Sequence, residues 1–322
     1  MMSWREAVAA VVLSCAQLSI AAAQDWPNRP VRILVGFGAG GGTDVVARIV
    51  ADRLSEVFGQ QFVVENRPGA GGTIAGGMVA KAANDGYTLL AISTGHSAST
   101  VMFKQVPYDP VGSFVPVGIL ASSAYVVTVP KNSPATDLKS LVAIIEKEPD
   151  KLTYATVGVG STQHLIAEDL RQRTGMKVQP VNFRTTGEVV TALLRGDVAF
   201  GIDLFHAIRG HADAGDLRFI ALSTPQRWPA APDVPTLAES GLPGFGYTGW
   251  YGFVFPAGTE QPIVDKMHKA LEQVLAREDV KQKLDGVGAI AKLSAPAELN
   301  KIIESDIRNF RAVAEKAGIE AK

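Results

Sequence analysis

The chain has 322 residues, and its 31 basic and 32 acidic residues give a formal net charge of −1 at pH 7. A near-neutral chain without a basic run has no electrostatic footprint for nucleic acid, so we expect no nucleic-acid partner. The length exceeds what one core usually fills, so we expect two domains.

The N-terminus has the layout of a secretory signal peptide. Within residues 1–23, the basic residue Arg5 is followed by a nearly uncharged run that ends in three alanines. We therefore predict cleavage after Ala23 and a periplasmic location. Polar residues interrupt the run, whereas a membrane anchor needs about 18 continuous apolar residues. Lipid attachment at Cys15, the single cysteine, is an alternative. After cleavage, neither disulfides nor thiol chemistry can contribute.

Strands and helices alternate along the first third of the chain. The apolar-rich run 31–35 is typical of a buried parallel strand. A glycine loop follows, and then apolar residues at helical spacing predict a helix that ends at Gly59. The same order repeats in a strand over 62–65, a second glycine loop, a helix over about 74–83 and a strand over 87–92. This βαβαβ order indicates a parallel sheet with right-handed crossovers.

The rest of the chain continues this alternation, and its last helices determine the domain boundaries. The predicted strands are 114–121, 125–129, 152–156, 178–183, 198–202, 217–222 and 247–255, and the predicted helices are 134–148, 162–170, 187–195 and two that begin near Pro262 and Pro296. Because the last two helices have no strands of their own, they must pack on the first sheet. We therefore predict a discontinuous first lobe at 24–120 plus 224–322 and a second lobe at 121–223. The predicted fold is α/β, with each lobe a mostly parallel sheet flanked by helices and a cleft between the lobes.

Three glycine loops follow predicted strands, at 36–44, 66–73 and 158–162. In open α/β sheets, ligands bind at the carboxyl ends of strands. A glycine loop that opens a helix directs unpaired N–H groups and the positive end of the helix dipole at one point. The loops therefore predict an anion site, for which carboxylate is as suitable as phosphate.

An NAD-dependent enzyme is the alternative, because the first loop also fits G-x-G-x-x-G. The ribose-binding acid expected about 20 residues later corresponds to Glu65, which lies 29 residues after Gly36. Export also argues against a cytosolic cofactor. The mature chain has no G-x-S-x-G, H-E-x-x-H or thiol motif, and His206 and His211 lack metal-site spacing. We therefore expect no enzyme activity, no cofactor and no metal.

Eight short motifs run in order along essentially the whole mature chain. They are VRILVGFGAGGGTD at 31–44, VENRPGAGG at 64–72, DGYTLL at 85–90, PYDP at 107–110, GSTQHL at 160–165, PDVPT at 232–236, WYG at 250–252 and PAGT at 256–259. Together they resemble the Bug family, the periplasmic receptors of tripartite tricarboxylate transporters.

The resemblance implies a two-lobed solute-binding fold of the Venus flytrap kind, type II-like, that closes on a small carboxylate. It further implies that main-chain groups of the two glycine loops of the first lobe bind the carboxylate, partly through water, and that the opposing lobe adds contacts. Carried onto this chain, the implied residues are Phe37, Gly38, Ala39, Gly40, Thr43, Ala70, Gly71, Ser161, Thr162 and the region of Asp203. The implied partners are the carboxylate ligand and a membrane permease. A sensor that uses the same binding chemistry to signal is an alternative function. We expect a monomer.

The chain departs from the family pattern in the second lobe. Where the family commonly shows Val-Pro-Tyr-Lys-Gly, this chain has VNFRT at 181–185, and the residues near Asp203 also differ. These changes leave the ligand's identity open. Arg184 could pair with a second carboxylate, since a guanidinium matches that geometry, or could be a solvated side chain. His96, after the third strand, could donate to the ligand or hold a nearby loop.

Overall fold

The computed structural model describes residues 26–321. The predicted signal peptide at 1–23, its cleavage after Ala23 and lipid attachment at Cys15 lie outside the described residues. Within 26–321 the chain forms ten strands and ten helices of eight or more residues. The strands are β1 (Val31–Val35), β2 (Phe62–Asn66), β3 (Thr88–Ser93), β4 (Phe114–Pro130), β5 (Thr153–Val157), β6 (Gln179–Phe183), β7 (Phe200–Leu204), β8 (Leu217–Leu222), β9 (Thr248–Pro256) and β10 (Ala289–Ala291). The helices are α1 (Gly42–Phe58), α2 (Thr73–Ala80), α3 (Thr94–Met102), α4 (Leu138–Lys147), α5 (Thr162–Thr174), α6 (Thr186–Arg195), α7 (Phe205–Asp213), α8 (Gln261–Ala276), α9 (Glu278–Gly286) and α10 (Pro296–Ala317).

The first lobe is built on the predicted parallel strands. β1 pairs in parallel with β2 on one edge and with β3 on the other. α1 packs on this sheet through Val46, Val50 and Leu54, which are buried at helical spacing. Gly59 ends α1 in a left-handed conformation with φ 65°, as the sequence predicts. The βαβαβ prediction is therefore confirmed for this part of the chain.

β4 is a single strand of 17 residues that runs from one lobe into the other. The break predicted between residues 121 and 125 is wrong. Ser122 and Ser123 pair with β9 on one edge of β4 and with β10 on the other. Because hydrogen bonds on both edges hold the backbone extended, the strand continues through these small residues.

The second lobe repeats the parallel arrangement around β5. β5 pairs in parallel with β6 and β7, while β7 and β8 pair antiparallel with β4. The sheet is therefore mixed, with parallel pairs outside and antiparallel pairs where β4 and β9 cross the centre. α4 begins at Leu138 rather than at the predicted Pro134, because the Asp137 side chain accepts the N–H of Ser140 and caps the helix there.

The C-terminal helix α10 contributes to two cores. Leu299 and Ile303, in its first half, pack with β1 and β3 residues of the first lobe. Phe310 and Val313, in its second half, pack with α5 and β5 residues of the second lobe. Among residues 26–321, no helix is both long and apolar enough to cross a membrane.

Candidate functional site

Asp44 holds the first glycine loop from within. Its carboxylate is buried, and Oδ2 accepts the Gly40 N–H at 2.8 Å while Oδ1 accepts Asn66 Nδ2 at 2.8 Å. Arg48 Nε donates to Oδ1 at 3.0 Å. Burial raises the pKa of Asp44, but the hydrogen bonds from Arg48, Gly40 and Asn66 more than offset it and keep the pKa below its ordinary value. An ionised carboxylate therefore anchors this loop.

The first turn of α1 supplies the available amides of the first loop. A helix leaves its first N–H groups without intrahelical acceptors, and the first two residues here, Gly42 and Thr43, line a cavity together with Gly38. A Cβ on Gly42 would lie 2.5 Å from the Tyr251 hydroxyl oxygen. Glycine at this position therefore lets the hydroxyl approach the end of the helix.

The second glycine loop packs directly on the first. A Cβ on Gly36 would lie 2.5 Å from Cα of Gly72, so the two backbones are in contact. Ser99 Oγ, from α3, donates to the Gly71 carbonyl at 2.6 Å and fixes the second loop. Ala70 has φ 46°, a left-handed conformation that is uncommon outside glycine. The two loops thus form one surface, with Gly71 facing the same cavity.

The cavity has a volume of about 820 Å³ and lies between loops of both lobes. Five helices begin at its wall. Their lining residues are Gly42 and Thr43 of α1, Thr94 and Gly95 of α3, Thr162 and Gln163 of α5, Thr185 at the start of α6, and Leu204 at the start of α7. Because each helix N-terminus carries about half a positive charge, the cavity suits an anion.

Uncharged hydroxyls form the floor of the cavity. Tyr125 and Tyr251 line it, and burial raises the pKa of both phenols above their ordinary value. Ser123 is buried beside them, and its Oγ has no hydrogen-bond partner within residues 26–321. These three groups are therefore neutral hydrogen-bond donors close to the helix termini.

Of the described residues that line the cavity, Arg184 alone carries a formal charge. Its side chain is 90% exposed, and Nη2 lies 3.1 Å from Oε1 of Glu188. The backbone N–H of Arg184 also donates to Glu188 Oε2 at 2.8 Å. Its charge is thus partly neutralised at the edge of the cavity.

A hydrogen bond joins Gln163, a half-buried residue of the second-lobe wall, to the buried Asp203 behind it. Gln163 Nε2 donates to Asp203 Oδ1 at 3.1 Å, and the Leu204 N–H donates to the same oxygen at 2.7 Å. Asp203 is fully buried, and within residues 26–321 its Oδ2 has no hydrogen-bond partner. The nearby Thr186 side chain lowers the pKa of Asp203, although its hydroxyl makes no hydrogen bond with Oδ2. Burial dominates and raises the pKa of Asp203, which favours the neutral acid.

Eight of the twelve predicted site residues line the cavity. They are Phe37, Gly38, Ala39, Thr43, Gly71, Ser161, Thr162 and Arg184. The other four, Gly40, Ala70, His96 and Asp203, lie outside the lining of the described cavity. A direct ligand contact by any of the twelve remains a prediction.

The structure gives His96 and Gly40 other partners. His96 is buried, with Nε2 3.0 Å from the Pro110 carbonyl oxygen and its ring stacked on Tyr108. Burial lowers the pKa of His96, so the neutral imidazole is favoured. The Gly40 N–H is bonded to Asp44. His96 therefore contacts the loop at Pro110, while its contact with a ligand stays a prediction.

Several lining residues were not predicted as site residues, among them Tyr125, Tyr251, Ser123, Gln163 and Trp250. Gln163 and Tyr251 lie inside the motifs GSTQHL and WYG, which were a usable signal. Ser123 and Tyr125 lie within β4, where the strand pattern gives no sign of function. Trp250 is buried in the wall, and its Nε1 donates to Asp306 Oδ2 at 2.8 Å.

Known proteins match this chain over most of its length. Residues 46–319 match the family described as "Tripartite tricarboxylate transporter family receptor". Protein BugT of Bordetella pertussis is 31% identical over 302 residues, which cover 93% of this chain and 93% of that protein. The solved structure of R. palustris Rpa4515 with adipate has a TM-score of 0.81 and 34% identity, and covers 92% of this chain and 100% of its own. MatC (Rpa3494) from Rhodopseudomonas palustris with bound malate has a TM-score of 0.77 and 32% identity, over 89% of this chain and 99% of its own.

Proposed function

Because this chain belongs to the tripartite tricarboxylate transporter receptor family, we propose that it captures a small carboxylate and delivers it to the membrane subunits of such a transporter. The family membership confirms the resemblance to the Bug receptors predicted from the sequence. The two-lobed α/β fold is likewise that of its solved relatives.

The convergence of five helix N-termini on one cavity is the observation that carries the proposal. Free amides of α1 and neutral hydroxyls of Tyr125 and Tyr251 offer hydrogen bonds to an anion, and no acidic side chain lines the described cavity to repel it. Helix N-termini bind carboxylate and phosphate by the same physics. The adipate and malate bound by the two solved relatives favour carboxylate.

The dinucleotide alternative finds little support in this geometry. Glu65, the candidate for the ribose, lies outside the cavity lining and bonds to Arg32 at 2.7 and 2.9 Å. The hydrogen bond from Arg32 lowers the pKa of Glu65, which keeps this ion pair charged. A ribose would have to displace Arg32 from Glu65. The proposed role is therefore binding and delivery rather than catalysis.

We further propose a cellular location, a processing site and an assembly state for this protein. The chain is exported to the periplasm, loses residues 1–23 and acts as a monomer. Its lobes are 24–120 plus 224–322 and 121–223, with ligand held between them. The mass of protein purified from the periplasm tests the cleavage, since processing after Ala23 fixes its N-terminus at Gln24.

Calorimetric titration of the periplasmic protein tests the binding function. The probes are adipate and malate, their neutral diamides and NAD. We expect an acid to bind and its diamide to bind at least tenfold more weakly, because the amide lacks the charge that the helix termini stabilise. Equal binding of acid and diamide, or binding of NAD alone, would contradict the proposal.

A further inference from the structure

The contacts of Asp203 fix the orientation of the Gln163 amide. Asp203 Oδ1 accepts N–H groups from both Gln163 and Leu204. Gln163 meets this oxygen through Nε2 at 3.1 Å, so its NH₂ group faces Asp203. The carbonyl oxygen Oε1 is then the free end of Gln163, a residue that lines the cavity.

We propose that Gln163, positioned by Asp203, selects ligands that carry a hydrogen-bond donor at the end away from their carboxylate. The substrate class is an acid with a hydroxyl or amide N–H on an apolar body. This inference rests on the proposed function, because it assumes that a carboxylate is bound by the first lobe.

The surroundings of Gln163 favour a neutral distal group. Val157, Val159 and Leu204 line the same wall and suit an apolar ligand body. Burial raises the pKa of Asp203, which favours its neutral, protonated form. A second carboxylate beside Gln163 would face a carbonyl lone pair, and an acceptor placed against an acceptor forms no hydrogen bond. A hydroxyl at that place would donate to Oε1.

Arg184 is the competing partner for a second carboxylate. Its side chain is 90% exposed and already paired with Glu188, so a ligand carboxylate would have to compete with Glu188 for it. Exposed ion pairs contribute little free energy. The geometry therefore favours Gln163 over Arg184 as the residue that distinguishes ligands.

Ligands of matched length test this selectivity. At four, six and eight carbons, the plain acid, the ω-hydroxy acid and the dicarboxylate differ only in the distal group. The six-carbon set is hexanoate, 6-hydroxyhexanoate and adipate. At the length that binds best, we expect the hydroxy acid to bind about tenfold more tightly than the plain acid, as one added hydrogen bond allows, and more tightly than the dicarboxylate.

Variants separate selection by Gln163 from general stability. Gln163→Leu should remove the tenfold preference for the hydroxy acid over the plain acid. Asp203→Asn should keep the preference, since its amide oxygen can still accept both N–H groups, whereas Asp203→Leu should lose it. Gln172→Leu is the matched control, because Gln172 lies on the same helix but donates to the Val313 carbonyl outside the cavity.

The outcomes distinguish this inference from the proposed function. Tightest binding of the dicarboxylate, unchanged by Gln163→Leu, overturns the role of Gln163 and leaves the receptor function intact. Loss of the preference in Gln172→Leu as well overturns it too, because the effect is then structural. If no acid of any length binds, both the inference and the proposed function fail.

Discussion

Asp44 and Asp203 are both buried carboxyls beside the cavity, yet their surroundings favour opposite charge states. Asp44 accepts hydrogen bonds from Arg48, Gly40 and Asn66, which hold its pKa low despite burial. Asp203 has one oxygen without a partner among residues 26–321, and burial raises its pKa. The positive charge of Arg48 beside Asp44, and the burial of Asp203 without a cation among its named neighbours, therefore account for the opposite directions of the two pKa shifts. The ionised carboxylate of Asp44 holds the binding loop in place, whereas the neutral acid favoured at Asp203 keeps the opposite wall uncharged.

Gly38 provides the sharpest test of the first loop at the scale of a residue. It lines the cavity, and a Cβ there would have no heavy atom within 4 Å. We expect Gly38→Val to keep its stability within about 0.5 kcal/mol but to bind hexanoate and adipate at least tenfold more weakly. The reason is that the added side chain obstructs the anion's approach to charge-assisted hydrogen bonds of about 1.5–3 kcal/mol. Calorimetry and urea unfolding measure the two quantities.

Gly210→Val is the matched control for this loop. Gly210, on α7, also has no heavy atom within 4 Å of an added Cβ, and it lies outside the cavity lining. It should bind both acids with unchanged affinity. If Gly38→Val is stable and binds as tightly as Gly210→Val, the first loop is not the carboxylate site.

The site could be predicted from sequence only where local order determines it. The loops at Gly38 and Gly71 were found because a strand, a glycine run and a helix follow one another, which alone places amides at a strand end. The pair Gln163 and Asp203 is separated by 40 residues, and its hydrogen bond depends on how α5 meets β7. The bond from the Gly40 N–H to Asp44 is local by contrast, since Asp44 ends the same glycine motif four residues later and was a usable signal.

At the scale of elements, α10 links the cavity wall to both cores. Its first half packs with the first lobe and its second half with the second. Between them, Asp306 accepts the Trp250 indole N–H at 2.8 Å, and Trp250 lines the cavity. The last helix of the chain therefore positions a residue of the site.

Asp306 makes the stability of this link depend on pH. Burial raises its pKa from 3.8 to about 6. Because the folded protein binds the proton more tightly than the unfolded chain, stability falls as pH rises from about 4 to 6. Above pH 6 the free energy of unfolding is lower by about 2 kcal/mol, after allowance for the partial exposure of Asp306.

Asp306→Asn removes this titration while retaining an oxygen for Trp250. Urea unfolding of both proteins between pH 4.5 and 7.5 should show that the wild type loses stability relative to the variant as pH rises. The variant should keep its ligand affinity, because the indole N–H still has an acceptor. Parallel stability curves across this range would show that Asp306 titrates normally in the folded protein.

Most elements were predictable because their apolar spacing matches their burial. α1 and β1 show the helical and the continuous apolar patterns that the sequence displays. α3, α7, α9 and β10 were not predicted. α3 is rich in serine and threonine, which are buried here by packing rather than by hydrophobicity. The predicted break in β4 failed for a similar reason, since pairing on both edges overrides the weak strand preference of small residues.

At the scale of the whole molecule, the cavity is exposed between the lobes. Val159, in the third glycine loop of the second lobe, lines the cavity and is 45% exposed. Because Val159 faces the cavity, an approach of the two lobes would cover its side chain. β4 and α10 contact both lobes. Closure of the lobes must therefore bend these two elements or slide neighbouring residues along them.

We predict that the lobes close on a bound carboxylate and bury Val159. Small-angle scattering should then show a smaller radius of gyration at saturating ligand, starting from about 19 Å for a compact chain of roughly 300 residues. Val159→Ser should weaken binding about five- to tenfold, because burying the valine contributes roughly 1–1.5 kcal/mol. Leu194→Ser is the control: Leu194 is 44% exposed on α6 of the same lobe but outside the cavity lining.

Unchanged scattering together with equal affinities of the two variants would mean that the ligand binds without closure. A loss confined to Val159→Ser, accompanied by compaction of the wild type, would identify the third glycine loop as the part of the second lobe that covers the ligand.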